Sequence, residues 1–329
     1  MSPLNADTIF NGYVSANVLF ALDSLGALKE LAIGLNISEF CARDNLDRYV
    51  VDALVSAAAD VGHIVVEDST ARLTSTGAEA AGMIGFFTWG VGGYHDIFAH
   101  AADIARGARR FGRDLYRDEA MVAQGSAQAD IALMRDILDE VIAGIEFDTL
   151  ADLGSGTGAR LARFVGARAR TRGLGLDISG PATELAAGVV ERAGLSDRVQ
   201  PVQADVTEVL FGGVLRDRCA QAEVVMSFMF LHDLLAEQTT RVEVVPKLRE
   251  AFPRAHTFLI ADTTVRPRHE GATTLPVFSS GFELAHALMG IPLYTREEYE
   301  RLFIEGGLEI KEIVPFGAPY TYLFILEAC

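Results

Sequence analysis

The chain has 329 residues, long for one ordinary core and sufficient for two; half of them are apolar and 22% are charged, which predicts a compact globular protein. A formal net charge of -17 excludes a nucleic-acid partner, because phosphate backbones reward Lys and Arg and this surface repels them. The start carries an acid at Asp7 and no basic segment before an apolar run, and no apolar run reaches the roughly 18–20 residues that span a bilayer, so a soluble, cytoplasmic protein without a membrane partner is expected. Cys41, Cys219 and Cys329 are far apart and read as reduced thiols rather than a disulfide framework or a zinc knuckle.

Residues 1–80 read as short helices followed by a small hairpin. Apolar residues recur at helical spacing over Thr8–Leu31, broken at Asp23–Gly26, and further helices are expected over Ile37–Cys41 and Arg48–Val61. His63–Ser69 and Ala71–Thr74 read as two strands around a turn. Helices followed by a two-stranded wing form a winged-helix pattern. Up to residue 90 the chain holds four basic residues against eleven acidic ones, so dimerisation rather than DNA binding is the expected use of this module. Residues 81–145 form a mostly helical bridge, with a long helix expected over Ala127–Ala143. From Asp148 strands alternate with helices through residue 329, the mark of a doubly wound parallel sheet, and Ile310–Phe316 and Tyr320–Leu326 read as a closing antiparallel pair.

The strongest motif runs from Thr149 to Gly158. A strand rises to Asp152, turns on Gly154, Ser155, Gly156 and Gly158, and feeds a helix from about Ala159. A second strand ends about twenty residues later at Asp177, where a carboxylate can accept both ribose hydroxyl hydrogens. A third strand ends at Asp205, placed to meet an adenine amino group. A fourth, Ala222–Phe228, ends in Ser227 and Phe228, which can wall a ligand. Ile178 and Val206, next to the second and third acids, belong to the same candidate donor site. The D-x-G-x-G-x-G series followed by these acids resembles class I S-adenosylmethionine-dependent methyltransferases across roughly residues 146–329.

His232 follows the fourth strand in Phe228-Met229-Phe230-Leu231-His232-Asp233, at the sheet edge where open α/β folds bind ligands. This arrangement resembles the plant-type O-methyltransferases, which also carry a winged-helix dimerisation domain and in which a His-Asp pair at this point supplies the catalytic base. His286 lies three residues after Glu283, so on a helix the two share a face. His63, His95, His100, His256 and His269 have no such setting. The stretch from Leu275-Pro276-Val277-Phe278 through Phe282, Glu283 and His286 to Met289-Gly290, together with Phe228-Met229, His232-Asp233 and Leu248–Pro253, resembles the 2-oxo acid C-methyltransferases of the phenylpyruvate type, over nearly the whole chain.

That resemblance implies a non-haem metal, iron by preference, held by His232 and His286. It also implies an arginine orienting the substrate carboxylate at Arg117, a pocket tryptophan at Trp89 and a pocket methionine at Met229. Phe278, Phe282 and Glu283 complete the expected substrate pocket. Imidazole suits zinc or nickel as well as iron, so the residues leave the metal open. Glu283 is either a third ligand or an orienting group, and Asp233 either bonds the donor's amino group or positions a water. The implied reaction is methyl transfer to C3 of a 2-oxo acid, an enzyme making a β-methyl amino acid, with a homodimer formed through the N-terminal domain. The alternative is a metal-independent O-methyltransferase with His232 as general base, which has no use for a second histidine. The side chain of the 2-oxo acid is expected to be apolar, aliphatic or aromatic.

Overall fold

The computed structural model describes residues 4–267 and 278–328. His269, Leu275, Pro276, Val277 and Cys329 lie outside them. Near the N-terminus, Asn5 caps a helix over Ala6–Ser24 with its side chain, and Gly26, at φ 76°, breaks it from a short helix at Ala27–Leu31. Helices Ile37–Asp44 and Arg48–Asp60 are capped by Asn36 and Asp47. Three short antiparallel strands, β1 (Leu35–Asn36), β2 (Ile64–Glu67) and β3 (Thr70–Leu73), pair in the order β1-β3-β2 around an apolar core of their own. The two-residue β1 is too short to leave a period in the sequence.

The bridge is helical, as its composition suggests, but its long helix begins earlier and is not uniform. It runs from Glu119 to Ala129, widens into a π-helical turn at Asp130–Met134, and continues over Arg135–Ala143. A second π-helical turn spans Thr88–Gly93 and carries Trp89. The two segments cross at glycine against glycine. A Cβ on Gly85 would stand 2.5 Å from the Gly125 carbonyl oxygen, and one on Gly125 would stand 2.8 Å from the Trp89 nitrogen. That close approach sets Trp89 against the sheet domain.

Seven strands follow: β4 (Thr149–Leu153), β5 (Arg172–Asp177), β6 (Val199–Gln203), β7 (Val224–Phe228), β8 (Thr257–Thr263), β9 (Leu308–Pro315) and β10 (Thr321–Ala328). They form one sheet in the order β6-β5-β4-β7-β8-β10-β9. β4 to β8 pair in parallel, and β10 runs antiparallel between β8 and β9. Every residue of β7 and β8 is buried, as expected of central strands covered by helices on both faces. Two apolar cores flank the sheet, one packed by helices Arg241–Ala251 and Arg296–Glu305, the other by Arg135–Ala143 and Ala159–Gly166. The chain order therefore brings the tips of β5, β4, β7 and β8 side by side, and the candidate site lies over them. Among the described residues no helix is long and apolar enough to cross a membrane.

Candidate active site

The glycine loop has the conformation its residues allow. Gly154, Gly156 and Gly158 all lie at positive φ, between 53° and 68°, and a Cβ on Gly154 would meet the Phe230 ring at 2.7 Å. The loop is tied to the next strand by the Gly156 N–H, which donates to Asp177 Oδ2 at 2.8 Å, while Asp177 Oδ1 accepts from Ser179 N at 2.9 Å. Burial raises the Asp177 carboxyl above its ordinary value against the pull of these two N–H groups. Gly154, Ser155, Gly156, Asp177, Ile178 and Phe228 line one cavity.

The other four residues expected at the donor site do not line it. Asp205 is exposed and caps the helix Val206–Gly212 by accepting from Thr207 N at 2.8 Å, Val206 is packed in the core, and Ser227 is buried, 1% exposed, within β7. Asp152 is fully buried at the end of β4, neither of its oxygens has a hydrogen-bond partner, and Arg160 Nη1 stands 3.9 Å away. Burial pushes this carboxyl up to about 7, with Arg160 pulling the other way. The folded state therefore holds the Asp152 proton more tightly than the unfolded chain, whose carboxyl titrates at about 3.9. The stability this gives is fully present below about pH 4 and is lost as pH rises through about 7. Asp152→Asn is expected to remove that loss, so that the stability of variant relative to parent climbs by up to about 1.4 kcal/mol per pH unit across this window. Thermal melts of the two proteins at a series of pH values measure it.

The same cavity continues past β7 to the two histidines. His232 sits in a single helical turn, Leu231–Leu234, after β7, and His286 on the helix Ser279–Met289; both are almost fully buried. Their Nε2 atoms face each other at 3.0 Å. His232 Nδ1 lies 2.8 and 3.0 Å from the two Asp262 oxygens, and His286 Nδ1 lies 2.7 Å from the Phe282 carbonyl oxygen. A carboxylate and a carbonyl only accept, so each Nδ1 carries a hydrogen; the His286 Nε2 then presents its lone pair, and the His232 Nε2 carries a hydrogen only when that ring is protonated. Two lone pairs at this distance repel unless positive charge lies between them. Burial opposes charge on His232, but Asp262 and Asp233 outweigh it and hold the ring above its ordinary value. Burial, reinforced by His232, pushes His286 down to about 3.

Asp262 is the residue that sequence reading missed. At the end of β8, it also accepts from the His232 backbone N–H at 3.0 Å, the Thr263 N–H at 2.9 Å and the Tyr299 hydroxyl at 3.0 Å. Its one signal was its place at the carboxyl end of a wholly buried strand next to the strand preceding His232. Asp233 Oδ1 lies 3.8 Å from His232 Nε2, and Asp233 Oδ2 lies 3.5 Å from Arg117 Nη2. Arg117 Nη1 donates to the Tyr94 hydroxyl at 3.1 Å. Burial opposes the Arg117 charge, but Tyr94 and Asp233 outweigh it and strengthen its hold on the proton.

Trp89, Phe278 and Phe282 meet beside His286. Ring centroids are 5.1 Å apart for Trp89–Phe278 and 5.0 Å for Phe278–Phe282, with Phe86 stacked on Phe278 at 4.9 Å. Phe278 and Met229 hold left-handed backbone conformations, φ 81° and 55°, that bulky residues adopt only under constraint, and both side chains reach the cavity. Glu283 corrects an expectation. It shares the helix with His286, but both its oxygens engage Arg266, Nε at 2.7 Å and Nη2 at 3.0 Å, and it lines neither the cavity nor the histidine pair.

No family model matches the chain. It is 29% identical to the indolepyruvate C-methyltransferase of Streptomyces griseus over 329 residues, 97% of this chain and 94% of that enzyme. Methyltransferase ungE' of Aspergillus campestris is 28% identical over 91% of this chain and 89% of its own length. The 2-ketoarginine methyltransferase of Streptomyces arginensis is 24% identical over 91% and 86%. Among solved structures, the mitomycin 7-O-methyltransferase superposes with a TM-score of 0.66 at 18% identity, covering 98% of this chain and 96% of that one. With that fold and with methyltransferase relatives aligned along nearly its whole length, the chain is an S-adenosylmethionine-dependent methyltransferase related to C-methyltransferases of 2-oxo acids.

Proposed function

We propose that the enzyme methylates C3 of a 2-oxo acid whose side chain is apolar, in the making of a β-methyl amino acid, with a divalent non-haem metal, iron by preference and zinc or nickel by donor chemistry, held by His232 and His286. The observation that carries this reading is the pair of Nε2 atoms facing each other at 3.0 Å, each on a ring whose Nδ1 is fixed by an acceptor behind it. That donor set fits a divalent cation of borderline softness. Among the described residues no group of three or more His, Cys, Asp or Glu side chains is arranged around a metal position, so the remaining positions fall to substrate oxygens and water. When bound there, the cation supplies Lewis acidity toward the keto oxygen and lowers the pKa of the adjacent C3–H.

The chain's own groups do the rest. Arg117, held by Tyr94 and Asp233, takes the substrate carboxylate and fixes which face of C3 meets the donor. Asp233 is the carboxylate beside the histidine pair and accepts the C3 proton at an oxygen. Trp89, Phe278 and Phe282 take the side chain and keep water from the carbanionic carbon. The donor lies over the glycine loop with its ribose at Asp177, in the same cavity, so its sulfonium methyl faces C3. The O-methyltransferase alternative needs His232 Nε2 to face a substrate hydroxyl, and it faces His286 instead.

The test strips metal with a chelator and assays methyl transfer to phenylpyruvate, indolepyruvate, 4-methyl-2-oxopentanoate, 2-oxo-5-guanidinopentanoate and 2-oxoglutarate, before and after ferrous iron is restored. Activity lost and regained with metal, with the new methyl on C3 by NMR, is the expected result. Persistent transfer without metal, or a methyl on oxygen, overturns it. A homodimer is proposed through the N-terminal unit, whose first helix exposes Ile9, Phe10 and Tyr13; sedimentation at micromolar concentration is expected to give twice the 35.4 kDa chain mass.

A further inference from the structure

Beyond the histidine pair, the cavity has a second charged end that the reading above does not use. Arg160, in the first turn of the helix that leaves the glycine loop, lays its guanidinium over the Phe228 ring at 3.9 Å. Its Nε reaches Asp130 Oδ1 at 3.2 Å and its Nη1 stands 3.9 Å from Asp152. Asp130 is 5% exposed, belongs to the π-helical turn of the bridge, and lines the cavity with Arg160. Arg163 Nη2 stands 3.9 Å from the other Asp130 oxygen. Charges this buried are expected to serve a ligand or to be fully satisfied, and Asp152 behind them is not: both its oxygens lack a hydrogen-bond partner.

We propose that Arg160 and Asp130 form a clamp for the zwitterionic amino-acid end of the methyl donor, the guanidinium taking its carboxylate and the aspartate its ammonium. Sheet order places the clamp. Asp177 is at the tip of β5, on one side of β4, and Arg160 lies against Phe228 at the tip of β7, on the other. A donor with its ribose at Asp177 crosses the β4 tip with its sulfonium above the glycine loop, and its amino-acid end arrives between Arg160 and Asp130. A zwitterion adds no net charge and offers each member of the existing ion pair a new partner of opposite sign, so no buried charge is left alone. Asp152 stays behind the guanidinium, 3.9 Å from its Nη1.

This inference is independent of the acceptor, and its failure leaves the 2-oxo acid reading untouched. Calorimetric titration of the full chain compares three ligands: S-adenosylhomocysteine, its decarboxylated analogue and 5′-methylthioadenosine, which lacks the whole amino-acid end. Arg160→Met, which keeps the apolar stem on Phe228, is expected to weaken S-adenosylhomocysteine by about 10–100-fold, the loss of a charge-assisted contact, and to leave the other two ligands within about threefold. Asp130→Asn is expected to weaken S-adenosylhomocysteine and the decarboxylated analogue alike, by about tenfold, and to spare 5′-methylthioadenosine. Should Arg160→Met fail to fold, the Asp130→Asn pattern decides. Unchanged ratios among the three ligands, or an equal loss for all three, overturn the clamp.

Discussion

His286→Ala is expected to lower kcat/KM for methyl transfer to a 2-oxo acid by about 10²–10⁴-fold and to release the metal, while S-adenosylhomocysteine still binds within a few fold of the parent. The size follows from what the ring does. Its Nδ1 is committed to the Phe282 carbonyl, so its whole contribution to the cavity is one lone pair directed at His232. Removing that lone pair leaves a single imidazole, and a single imidazole holds a divalent cation poorly. Metal content, steady-state kinetics and donor affinity separate this outcome from general damage. A variant that keeps its metal and its rate places the cation elsewhere and removes the basis of the C-methylation reading.

Asp262→Asn is the second large effect. Asp262 touches nothing that reacts; it acts through His232, whose ring and backbone it holds at once, and through the buried Tyr299 hydroxyl. An amide keeps the shape, loses the charge and turns a donor toward groups that already donate. Metal affinity is expected to fall about 10–100-fold, the range for partners standing behind a ligating histidine, and stability by about 1–3 kcal/mol. Tyr299→Phe removes one of the four donors and is expected to cost stability while moving metal affinity less than threefold. Equal losses of metal affinity in the two variants would show that Asp262 matters only as packing.

Much of the fold was legible because its signals are local or periodic. The D-x-G-x-G-x-G turn, the strand-helix alternation and the acids at strand tips each follow from backbone geometry within a few residues, and His232 follows from its distance past the fourth strand. What stayed hidden depends on contacts between distant segments. Nothing near Asp262 announces that its carboxylate meets a histidine 30 residues earlier. Glu283 and His286 share a helix as their spacing requires, but the spacing carries no knowledge of Arg266, which claims the carboxylate. Asp205 reads equally well as an adenine partner and as the helix cap the structure makes of it. The π-helical turns at Thr88–Gly93 and Asp130–Met134 have no sequence period at all.

The cavity is assembled from two sources. The side proposed for the donor comes from the tips of β4, β5 and β7, whereas the side proposed for the acceptor is lent by the bridge and by the helix Ser279–Met289. Changes to Trp89, Phe278 or Phe282 are therefore expected to reshape what is methylated without disturbing the glycine loop or Asp177. Such a division makes substrate range an evolvable trait on a fixed chemistry. For the engineer, variation confined to the acceptor wall should diversify products while the rate of methyl transfer to an accepted substrate stays close to that of the parent.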